Sequence, residues 1–183
     1  MRDVSLAQTP SNRYGYPAVF FHWTLAILIP VLIALGWYML SVEEDPASAW
    51  LFDLHKSLGL TAVALILLRI VWRVGHAPAK LPETVAAWQA QASRLVHMLL
   101  YLLMVLMPIT GYLGASFSGD GVAFFGLPTP EWAVKNDALK EQFFGAHSVI
   151  AWILVSVITV HVIAGFKHLW INQDGVFQRM WPW

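Results

Sequence analysis

Six of the chain's seven histidines fall where a charged or polar ring is least welcome. His22, His55, His97, His147, His161 and His168 lie in or at the ends of long apolar stretches, and only His76 sits in a polar connection. An ionisable ring in a membrane-like medium is costly, so it counts as a functional hypothesis by default. A single such histidine is more often an interfacial anchor, but six shift the balance toward chemistry. Neutral imidazole offers two chemistries, a bare nitrogen for a metal and proton exchange near neutral pH. The segment HSVIAWILVSVITVH opens on His147 and closes on His161. That spacing is close to four helical turns, so the two rings share a face and stand roughly 21 Å apart along the axis.

The elements that position these residues follow from composition. The chain of 183 residues is 58% hydrophobic and 12% charged, with ten tryptophans, which is too apolar for a soluble domain of this size and implies a lipid bilayer as its solvent. Net charge is zero, so no bulk field draws the chain to nucleic acid. Stretches at about 17–40, 54–72, 93–115 and 145–170 are long enough to cross the roughly 30 Å hydrocarbon core. Pro30 and Pro108 fall inside two of them, where neighbouring helices can absorb a lost hydrogen bond. The first sixteen residues are polar and no small-residue cleavage site follows the first apolar run, so that run reads as a retained span. The expectation is all-α: one domain over 1–183, an integral membrane antiparallel four-helix bundle.

Charge gives an orientation. Arg2, Arg13, Arg69, Arg73, Lys80, Arg94, Lys167 and Arg179 gather on one side. Lys56, Lys135 and Lys140 stand on the other among many carboxylates. The basic side is predicted to be cytoplasmic, and with it both termini. The second connection carries Pro78 and Pro82; the long outer one begins with Gly and Pro and ends in a short surface helix.

With that topology the depths of the histidines can be compared. His22 opens the first span on the cytoplasmic side, and His161 lies deep along the fourth on that same side. His55 opens the second span on the outer side, as His147 opens the fourth. Two pairs result, stacked along the bundle. Without Asp, Glu or Cys at the same depth, paired neutral imidazoles suit a six-coordinate haem iron, whereas zinc or copper usually wants three or four ligands. The absence of cysteine removes disulfides, iron–sulfur clusters and covalent haem attachment. Gly59, Gly111, Gly145 and Gly165 near these histidines leave room for a flat porphyrin, although close helix packing explains any one of them equally well. His97 also opens a span on the cytoplasmic side and competes with His22 for the place opposite His161.

The stretches FHWTLA (21–26), LHKSLGL (54–60), RLVHMLLYLLMVLMPITGYL (94–113), the His147 to His161 segment and the closing FQRMWP (177–182) together resemble the bacterial cytochrome b561 family. That family includes the dihaem superoxide oxidase and is related to the cytochrome b subunits of nickel–iron hydrogenases. The likeness covers nearly the whole chain. It implies a multi-pass protein of the bacterial inner membrane with two non-covalent b-type haems, ligated by the matching His22 and His161 at the inner site and His55 and His147 at the outer. The family pattern favours His22 over His97. His97 is then free to serve a quinone headgroup, with His168, Arg94 and Trp170 completing such a pocket. Lys56 either neutralises a haem propionate or attracts superoxide past the acidic outer loops. Arg69 is a propionate partner or a snorkelling anchor. The activity implied is electron transfer across the membrane from superoxide, or another periplasmic donor, to ubiquinone. One rival keeps the haems but makes the chain an electron-transfer subunit linking the quinone pool to another redox protein. Another is a haem-free transporter using the histidines for metal ions or protons. Oligomeric state does not follow from the sequence.

Overall fold

The computed structural model describes residues 13–76 and 81–182; Arg2, Pro78 and Lys80 of the charge and loop readings lie outside them. Four helices run through it: α1 (Tyr16–Ser41), α2 (Ala49–Gly75), α3 (Ala87–Ser118) and α4 (Asp137–Lys167). All four are long and apolar enough to cross a membrane. The first three outrun their predicted spans at both ends and α4 starts eight residues early, because hydropathy marks only the part that sits in hydrocarbon, while a helix satisfies its own backbone groups and continues into the interface. A proline occupies the first turn of α1, where its missing N–H would have had no helical partner anyway. Pro30 and Pro108 both lie inside unbroken helices, as expected.

The helices pack as two hairpins, α1 with α2 and α3 with α4, which meet through α2 and α3. Leu25, Ala62 and Ile66 form the buried core, closed by Met104 and Val105 of α3. Large apolar side chains elsewhere point outward, among them Leu67, Leu68, Val160 and Ile163. Apolar outer faces of this kind are what lipid covers.

The long connection between α3 and α4 differs from the expectation. It holds a two-stranded hairpin, β1 (Ala123–Phe124) and β2 (Leu127–Pro128). No separate surface helix follows: Asn136 caps Asp137–Lys167 by accepting from the Leu139 N–H, and nothing between that cap and the apolar run breaks the helix. The hairpin turn places Phe125 and Gly126 at φ of 48° and 86°, the left-handed pair that a two-residue hairpin turn demands. Phenylalanine is strained there, and the hydroxyl of Ser57 on α2 holds it by accepting from the Phe125 N–H at 2.9 Å. Ser57 itself is buried and donates to the Asp53 carbonyl at 2.7 Å.

At the opposite end of the bundle the chain folds back beneath the helices. A π-turn (His168–Asn172) leads to a 3-10 turn (Phe177–Met180). The Trp23 indole donates to the Met180 carbonyl at 2.6 Å, and the Tyr14 N–H to the Arg179 carbonyl at 3.2 Å. Arg179, counted among the basic flanking residues, is buried and so belongs to this packed turn. Both described chain ends therefore share one end of the bundle, called here the terminal end, with β1 and β2 at the hairpin end.

Ser57→Ala removes the acceptor of the part-buried Phe125 N–H, a loss of about 1 kcal/mol. Thermal unfolding in detergent is expected to show a midpoint several degrees lower, with proteolysis of the 119–130 loop accelerated.

Candidate functional site

At the hairpin end, His55 of α2 faces His147 of α4 with ring centres 6.3 Å apart and planes at 77°. Each ring lies against a glycine of a neighbouring helix. A Cβ built on Gly111 would come within 2.8 Å of His147 Cε1, and one on Gly36 within 3.3 Å of His55 Cε1. His147 Nδ1 donates to the Met107 carbonyl at 2.9 Å. A carbonyl only accepts, so this contact puts the proton on Nδ1 and leaves Nε2 bare. His55 Nδ1 is buried with no hydrogen-bond partner among the described residues.

Toward the terminal end three histidines converge from three helices. His161 of α4 stands 6.1 Å from His22 of α1 at 73°, and 5.3 Å from His97 of α3 at 81°. His97 Nδ1 donates to the Ser93 carbonyl at 2.6 Å. Arg69 of α2 donates to His22 Nδ1 at 3.3 Å and to the Tyr101 hydroxyl at 3.3 Å, with its guanidinium over the Tyr101 ring. Guanidinium cannot accept, so in this contact the His22 proton sits on Nε2. A metal at His22 Nε2 requires that proton to move to Nδ1 and Arg69 to turn to another acceptor.

Ring spacing tests whether these pairs suit an iron. With metal–nitrogen bonds of about 2.0 Å and ring centres roughly 1.1 Å beyond each nitrogen, two axial imidazoles stand roughly 6.2 Å apart. His55 with His147 at 6.3 Å and His22 with His161 at 6.1 Å fit that spacing; His97 with His161 at 5.3 Å falls short of it. No group of three or more His, Cys, Asp or Glu among the described residues could hold a metal ion. The donor set is the one that a b-type haem uses.

The remaining sequence-predicted residues are placed as follows. Lys56 forms a 2.8 Å ion pair with Asp53 and donates to the Gly121 carbonyl at 3.4 Å, so it holds the loop between α3 and α4 and is not a free cation. Arg94 is exposed one turn before His97. Trp170 is exposed and stacks on Phe166 with centroids 4.7 Å apart. His168 meets neither of them; its Nδ1 lies 2.6 Å from the Asp174 carboxylate. Of the glycines near the histidines, Gly111 does abut a ring, Gly165 faces Phe177, and Gly59 and Gly145 meet nothing within 4 Å. Sequence reasoning missed Gly36, Tyr101 and Asp174. Asp174 had a signal, a lone acid just past a span that ends in histidine.

Two imidazole pairs thus stand at two depths, inside helices apolar enough to span a bilayer. A family model described as prokaryotic cytochrome b561 matches residues 13–183. Cytochrome b561 homolog 2 of Escherichia coli (strain K12) is 30% identical over 181 residues, covering 97% of this chain and 95% of the relative. Cytochrome b561 homolog 1 of the same organism is 23% identical over 177 residues, 93% of this chain and 98% of the relative. A protein named probable superoxide oxidase CybB from Yersinia pestis is 23% identical over 174 residues, 93% and 97% of the two chains. The chain belongs to the prokaryotic cytochrome b561 family. It is a multi-pass electron-transfer protein of the bacterial inner membrane that binds b-type haem.

Two outcomes follow from this geometry. Gly111→Ala drives a methyl into the His147 ring, and haem content per chain, measured as the pyridine haemochrome, is expected to fall clearly below that of the parent. Burial pushes the Asp174 carboxyl up, but hydrogen bonds from His168, the Val176 N–H and Asn172 outweigh it and hold the group below its ordinary value. The stabilisation is therefore complete above the unfolded value of 3.8 and is lost as pH falls through the lowered one. Hydrogen exchange over 173–180, corrected for its intrinsic pH dependence, is expected to accelerate only in that acid range.

Proposed function

We propose that this chain carries electrons across the membrane through two haem sites, His55 with His147 and His22 with His161, taking them from superoxide and delivering them to ubiquinone. The observation that carries the reading is the pair of ring separations near 6 Å at two depths. Haem at these pairs supplies a one-electron couple that needs no bond making in the protein. The overall balance is two superoxide plus ubiquinone plus two protons giving two dioxygen plus ubiquinol. The terminal end faces the cytoplasm, in keeping with its basic flanks.

The chain's own residues divide the work. The bundle keeps water from the ring pairs, and Gly36 and Gly111 let the helices approach without displacing the imidazoles. Met107 fixes the His147 tautomer, a backbone hydrogen bond of the kind that orients metal-bound histidine. Arg69 turns from His22 toward a haem propionate. Lys56 is already compensated by Asp53, which favours a shared propionate contact over attraction of superoxide. His97 is exposed and therefore open to a quinone diffusing in the lipid, with Arg94 beside it.

A dithionite-reduced minus oxidised spectrum of the purified protein, with haem quantified, tests the reading. Two b-type haems per chain are expected, falling to one in His55→Ala or His147→Ala and losing the other in His22→Ala or His161→Ala. Superoxide is expected to reduce the bound haem and ubiquinone to reoxidise it. Absence of haem overturns the proposal. Haem that superoxide fails to reduce moves the donor role to a partner redox protein.

A further inference from the structure

His168 sits seven residues beyond His161, two helical turns and roughly 10 Å nearer the terminal end on the same face of α4. There the helix gives way to a π-turn over His168–Asn172, and Gln173 adopts a left-handed φ of 50°. That break brings Asp174 back against the ring at 2.6 Å. Both side chains are largely shielded, 16% and 6% exposed. The carboxylate is built in: one oxygen accepts from the Val176 N–H at 3.1 Å, while Asn172 reaches the other at 3.4 Å and turns its own oxygen to Lys167 at 2.9 Å.

Two groups meet His168 Nδ1, the Asp174 carboxylate at 2.6 Å and the Asn172 amide nitrogen at 3.2 Å, and the carboxylate contact is the shorter. An ionised carboxylate only accepts, so the short contact keeps a hydrogen on Nδ1. A proton handed to a ligand is then the one at Nε2, and the carboxylate at Nδ1 orients the ring. The other charged groups on the elements packed here are Lys167, engaged with Asn172, and Arg179 on the neighbouring 3-10 turn.

We propose that Asp174 is the positioning residue of a proton-delivering dyad, with His168 Nε2 giving a proton to a quinone headgroup at the terminal end. Reduction of a quinone consumes two electrons and two protons. For each proton the His168 Nε2–H bond breaks, an O–H bond forms on a quinone oxygen, and the imidazolium becomes imidazole. Asp174 keeps its charge throughout, and solvent at the terminal end reprotonates the ring. This inference rests on quinone being the acceptor.

The test uses haem-loaded protein reduced with dithionite, then mixed with a soluble ubiquinone or with ferricyanide, which accepts one electron and no proton. Asp174→Asn is expected to slow reoxidation by the quinone at least about tenfold, the lower range for loss of acid–base assistance. Reoxidation by ferricyanide and the haem content should stay unchanged. Asp174→Glu is expected to recover most of the rate. His168→Gln should be slowed as much as the double variant, because the two residues act as one unit. Equal slowing with both oxidants, or none with the quinone, overturns the proposal. If Asp174→Asn fails to accumulate, His168→Gln alone decides by the same comparison. If the unaltered protein is not reoxidised by quinone at all, the acceptor itself is wrong, a failure visible before any variant is made.

Discussion

One face of α4 sets the geometry of everything else. His147, His161 and His168 are spaced by whole multiples of seven residues, so they fall along a single line that drifts only about 20° per heptad. Each other helix must bring a partner to that line at the right height: α2 brings His55, α1 brings His22, and α3 brings His97. A slip of one residue in any helix rotates its histidine by about 100° and carries the ring out of the bundle. Register between helices is therefore specified by these pairs more tightly than by the apolar residues, which meet lipid on most sides.

The same rings are polar groups in a medium that offers no water, and their hydrogen bonds show how the fold meets that cost. His97 uses a carbonyl of its own helix and His147 a carbonyl of the next, while His22 takes a donor from Arg69 and His168 a carboxylate from the turn below. His55 Nδ1 is buried without a partner among the described residues. A buried orphan of this sort is expected where a ligand has a claim on the ring.

Much of this was legible in the sequence, for reasons that differ by residue. The four spans follow from hydropathy, and helical rise puts His55 level with His147 and leaves both His22 and His97 level with His161; neither step needs knowledge of packing. Lys56 was read as a lone cation because Asp53 was counted among the solvated acids; the two are joined one turn apart on α2, and the loop at Gly121 adds a second contact to the same ammonium. The β1 and β2 hairpin stayed hidden, since its turn relies on a strained Phe125 that is held by Ser57, more than sixty residues distant in sequence. Gly36 escaped notice because it lies on a helix whose own histidine belongs to the other end. Asp174 became significant only where a π-turn reversed the chain, and no periodicity marks such a reversal.

The fold-back beneath the helices has a meaning for assembly. Its backbone and indole contacts join a stretch made after α4 to Tyr14 and Trp23, made before and within α1. Every span must already have left the ribosome before this clasp can close, and Trp23 adjoins His22 in the chain. The terminal-end clasp is thus the last contact of the bundle to form, and it closes beside His22.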